Sequence, residues 1–72
     1  MTTAQLQTNA HVLLAPSGKH CVRFSDAGHH QMLMQQFKLA DGQWHQYAGG
    51  FNWVGIARQR YFDLQAKGYR KP

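Results

Sequence analysis

Asp41-Gly42 constrains the chain on both sides of it. A two-residue Asp-Gly loop closes an antiparallel hairpin, because both residues accept the positive φ angles of a type I′ turn. With strands on either side, Ala40 faces Gln43, Leu39 faces Trp44 and Phe37 faces Gln46. Leu39 opposite Trp44 is a favourable apolar pair. The dipeptide matters because residues 29–40 read two ways. They are rich in helix formers, and Leu33, Phe37 and Ala40 make a stripe at helical spacing. As a strand, Leu33, Phe37 and Leu39 share one face instead. The hairpin signal favours the strand. The alternative is a second helix over 29–40, stopped by Gly42.

The remaining punctuation extends this pattern. Pro16-Ser17-Gly18-Lys19 places Pro and Gly as a turn requires. It separates the apolar run 11–15 from 20–24, where His20, Val22 and Phe24 alternate with Cys21 and Arg23, and predicts a hairpin. Ser25-Asp26-Ala27-Gly28 is the next turn signal. Ala48-Gly49-Gly50, between two aromatic segments, predicts a further hairpin. From there the period changes. Val54, Ala57, Tyr61 and Leu64 fall on one helical stripe, which predicts a helix over 57–67. Asp63 and Lys67 are spaced to pair on its outer face, and Gly68 suits the position just past its end. The expected fold is α+β: a small antiparallel meander of about four or five short strands with a C-terminal helix packed on one face.

A chain of 72 residues has room for one core. The expected organisation is a mobile or loosely docked N-terminal segment over 1–10, a single domain over 11–68 and a basic tail over 69–72. Only Leu6 can anchor the first segment. With Cys21 as the sole cysteine no internal disulfide exists, so a second subunit is a natural source of added stability. The unpaired cysteine and the lack of a secretory signal lead us to expect a cytoplasmic protein. No apolar run approaches the length of a membrane span, so no membrane partner is expected.

The residues available for catalysis are few. There are three aspartates and no glutamate, and each aspartate has an ordinary place in a turn, a hairpin loop or a helix face. A thiol nucleophile at Cys21 has no acidic neighbour in sequence, and a strand cysteine among apolar residues behaves as a small hydrophobe. His11, His20, Cys21, His29, His30 and His45 invite a metal. Yet His20-Cys21 and His29-His30 are adjacent pairs, and neighbours on a strand point to opposite faces. Gly49-Gly50 lacks the helix and the Gly-Lys that a phosphate loop needs. We therefore expect no catalytic residues, no metal, no cofactor and no enzyme activity. No family motif is recognisable along the chain.

Charge is the remaining signal. The net charge is +5, and it is uneven. Up to Ala57 it is +1, with Lys19, Arg23 and Lys38 against Asp26 and Asp41. From Arg58 it is +4, with Arg58, Arg60, Lys67, Arg70 and Lys71 against Asp63 alone. These five are interleaved with Trp53, Tyr61, Phe62 and Tyr69. Cations hold phosphates, and aromatic rings stack on unpaired bases. Spacing puts Arg60 and Lys67 together, with Arg58 and Phe62 on a separate flank. Trp53 and Tyr61 are expected in the core. The favoured reading is a non-enzymatic nucleic-acid-binding accessory protein that uses these five residues. The alternative is a small regulator, inhibitor or adaptor that docks on a larger protein, since Trp, Tyr and Arg anchor interfaces. A homodimer is admitted by the sheet edges of so small a domain.

Overall fold

Residues 31–40 are a strand in the computed structural model, which describes residues 1–72. The element order is α1 (Thr3–Gln7), β1 (His11–Leu14), β2 (His20–Gly28), β3 (Gln31–Ala40), β4 (Gln43–Trp53) and α2 (Val54–Ala66). The strands form one antiparallel sheet in the order β1-β2-β3-β4, and the fold is α+β. Asp41 and Gly42 both take positive φ, 52° and 74°. The register beyond them is Ala40↔Gln43, Leu39↔Trp44 and Phe37↔Gln46, as the dipeptide dictates.

Two turn signals have a different outcome. Ser25-Asp26-Ala27-Gly28 is not a turn: β2 runs through it, and the reversal falls on His29-His30, at φ 51° and 60°. Ala27 is bulged between the pairs Asp26↔Met32 and Gly28↔Gln31. The Asp26 carboxylate accepts the Gly28 N–H at 2.8 Å. The local bond that often builds a turn here satisfies a donor beside a bulge. Ala48-Gly49-Gly50 is not a hairpin either. β4 is one continuous strand of eleven residues, with Gly49 opposite Gln35 and Gly50 opposite Met34. At Gly49 a Cβ would displace the Gln46 amide, whose Nε2 would lie 2.6 Å away, and would press on the Met34 carbonyl oxygen at 3.3 Å. Tyr47 is the bulged residue, since Gln36 pairs with Ala48 while Phe37 pairs with Gln46. The later strands are accordingly longer than expected.

Strand alternation sends two sets of side chains to opposite sides of the sheet. On one side Val12, Cys21, Phe37 and Trp44 pack under Leu6 of α1. On the other, Leu13, Val22 and Phe24 pack under Ala57 and Leu64 of α2, flanked by Tyr61 and Tyr69. Residues 1–10 thus dock through Leu6, which is 1% exposed. Thr2 and Gln5 form a capping box on α1. Arg23 then secures the segment from the sheet, its Nε donating to the Leu6 carbonyl and its Nη2 to that of Thr8, both at 2.8 Å. Met1 and Trp44 exchange hydrogen bonds at 3.0 and 2.9 Å, along the outer edge of β4.

α2 begins at Val54, the first residue of the stripe and ahead of the expected start at Ala57, and its first N–H donates to the His30 carbonyl at 2.8 Å. It ends in a Schellman arrangement. Gly68, at φ 97°, donates to Gln65, and Tyr69 donates to Leu64. Asp63 does not pair with Lys67; its carboxylate accepts from Gln59 Nε2 at 3.0 Å, one turn towards the N-terminus. Past the helix the chain returns to the sheet. Arg70 and Leu14 exchange two backbone bonds of 2.6 and 2.9 Å, which lays the tail along the free edge of β1.

Candidate nucleic-acid interface

The return of the tail decides where the cations lie. Successive residues of an extended segment face opposite sides. Tyr69 packs into the core beneath α2, and Lys71 faces that side as well. Arg70, paired directly with Leu14, faces the α1 side. On α2, Arg58 lies on the flank that meets this tail. Arg60 and Lys67 lie on the opposite flank, beside Ile56, by the helical period of about 100° per residue. All five predicted site residues are exposed. The structure brings Arg58 and Lys71 into one groove and leaves Arg60, Lys67 and Arg70 outside it.

The groove holds about 340 Å³ and opens between α2 and the start of β1. Phe24, Met32, Val54 and Ala57 line it, with Arg58, Lys71 and His11 as its polar groups and Tyr61 and Phe62 along the helix side. The aromatic residues form a ladder from core to surface. Phe24 meets Tyr61 edge to face at 5.4 Å, and Tyr61 meets Phe62 at 6.0 Å. Phe62 is 55% exposed at the top of this ladder. A second concavity of about 750 Å³ adjoins at His11 and carries His29, His30 and Asp26. Neither Asp26 nor Asp63 lines the groove. An open slot with two cations, an imidazole and an exposed ring can hold a phosphate beside a stacked base.

Trp53, expected in the core, is 57% exposed. It stands opposite Gln31 on the sheet face that α1 covers only in part, beside Phe51 at 65% exposure. The chain turns into α2 straight after it, so no element lies over this corner. Tyr61, by contrast, is half-buried against Phe24. Sequence reasoning missed the part of His11 in the groove, because nothing local places the start of β1 beside the end of the chain. Only the Leu14–Arg70 bridge does so.

The other titratable residues gather no chemistry. Cys21 is buried, and desolvation pushes its thiol up to about 11, which keeps it protonated and packed. Nowhere do three His, Cys, Asp or Glu side chains converge as a metal site. Lys38 Nζ lies 5.4 Å from the Tyr47 ring centre, and His20 meets the same ring edge to face at 6.2 Å. No helix is long and apolar enough to cross a membrane. In comparisons with known protein families, curated proteins and solved structures, the chain matches none.

Proposed function

We propose that this is a non-enzymatic nucleic-acid-binding accessory protein whose contact centres on the groove between α2 and β1. The observation that carries the reading is the convergence of Arg58 and Lys71, from different elements, on a slot walled by Phe62. Arg60, Lys67 and Arg70 supply a diffuse positive field around it, which favours encounter with a polyanion but fixes no geometry. Binding of this kind reads phosphate and stacking, so it is insensitive to sequence and prefers unpaired strands.

Fluorescence anisotropy of labelled single- and double-stranded DNA and RNA, at low and near-physiological salt, tests it. Two phosphate contacts give a slope of log affinity against log salt of about −1.4 for a single strand, and all five cations about −3.5. The expected slope lies between these values. Arg58→Glu with Lys71→Glu should weaken binding at least tenfold and flatten the slope, and Arg60→Glu with Lys67→Glu should do less. Absence of binding at low salt overturns the function; equal effects of the two pairs overturn the groove.

The second reading, a regulator, inhibitor or adaptor that docks on a larger protein, is favoured by the exposure of Ile56 and Phe62 on α2 and of Phe51 and Trp53 on the sheet. Its complex would tolerate salt, and the anisotropy titration would then be flat.

A further inference from the structure

The sheet has two edges, a four-residue one at β1 and an eleven-residue one at β4. The tail pairs along β1 through Leu14. On the other side β4 is the last strand, and its sole outer partner is Met1, at Trp44. That contact reports the outer register. Trp44 turns its N–H and C=O away from β3, and beyond the Tyr47 bulge the alternate residues Gly49, Phe51 and Trp53 do the same. From 47 to 53 the strand carries no charged side chain, no proline and two adjacent glycines. These are the features that natural edges normally avoid, because they invite another strand. The same segment carries the exposed rings of Phe51 and Trp53.

We propose that the β4 edge is a self-association surface, on which a second copy of this chain pairs antiparallel about a two-fold axis at Gly50. The argument is self-complementarity. In this register Gly49 of each copy lies directly opposite Phe51 of the other, on the same sheet face. Each Phe51 ring then packs beside the Gln46 amide that lies over the partner's Gly49, where no Cβ stands in its way. Gly50 meets its own counterpart in the pair that exchanges no hydrogen bonds, where backbones approach to about 4.5 Å. The result is an eight-stranded antiparallel sheet. Charge favours the same strip: two molecules of +5 repel, and 48–53 carries no charge of its own, Lys38 reaching only Tyr47 at its end.

Area sets the strength. Seven residues span about 23 Å of an edge about 10 Å thick, which gives about 230 Å² per copy. The exposed parts of two rings add about 200 Å². The total, about 900 Å² for both copies, belongs to weak and reversible complexes. The dimer should therefore form with rising concentration. Higher salt should strengthen it by screening the repulsion, opposite in sign to the effect on nucleic-acid binding.

Sedimentation equilibrium of the full chain between about 10 μM and about 1 mM is the test. The mass should rise from 8.2 kDa towards twice that value. Phe51→Lys, at an exposed site, should hold it at 8.2 kDa across the range. Gly50→Cys, where a Cβ meets nothing within 4 Å, should form an intermolecular disulfide under mild oxidation. Gly55→Cys, on α2 and equally unobstructed, should not. Buried Cys21 does not compete for the oxidant. A monomer at every concentration overturns the proposal and leaves the edge to a different chain. A dimer that survives Phe51→Lys while Gly50→Cys stays unlinked overturns it too. If Phe51→Lys unfolds, the two cysteine variants decide.

Discussion

Cys21 and Arg23, two residues apart on β2, show what burial does to a side chain. They point to the same side of the sheet. Cys21 lies under α1 and becomes a thiol held at about 11 by desolvation. Arg23 reaches past it to the carbonyls of Leu6 and Thr8 and to Gln35 Oε1, at 2.8, 2.8 and 2.9 Å, and becomes a structural cation. It is therefore no part of the charge available to a ligand. The thiol has a thermodynamic consequence. Its folded pKa of about 11 lies above the ordinary thiol value of 9.0, so above pH 9 the unfolded chain loses the proton first. Stability is then fully present below pH 9 and declines by about 1.4 kcal/mol per pH unit up to about 11. Urea melts at pH 8, 9 and 10 should show that decline, and Cys21→Ala should remove this component of it.

Among the elements, those that sequence made legible are set by local chemistry. Asp41-Gly42 determines β3, β4 and their register because its two residues take positive φ together. Gly68 ends α2 for the same reason. Gly68→Ala should cost about 1–2 kcal/mol in a denaturant melt, since φ of 97° strains any side chain and the new Cβ would lie 3.1 Å from Pro16 Cγ. The misread segments are those where a turn-forming residue does another task. Asp26 satisfies a donor beside a bulge, and Gly49 leaves room for the Gln46 amide. Composition signals a departure from a regular strand at both places. It does not say whether the chain reverses or is only locally irregular. Trp53 was illegible for a similar reason. Its apolar bulk suggests the core, while its exposure follows from α2 starting at the next residue and covering the other side of the sheet.

For the molecule as a whole, the candidate site was half legible. The five basic residues are visible as a charge imbalance. Their division into a groove pair, a helix flank and a lone Arg70 depends on the tail returning to β1, a contact between opposite ends of the chain. Such contacts leave no trace in local periodicity. The two hydrophobic clusters share no residue, because the sheet stands between them. Leu6→Val and Leu64→Val should each cost about 1 kcal/mol, and the double variant should equal their sum within about 0.5 kcal/mol in urea melts. A coupling above that would mean that the sheet transmits strain.

Separation of this kind also governs how the sequence can change over time. A substitution under α1 asks for repair only among Leu6, Val12, Cys21, Phe37 and Trp44. The side that carries α2 and the groove takes no part in that repair. One half of so small a core can drift while the other holds still, and a history of substitutions would then record two rates, one for each side of a single sheet.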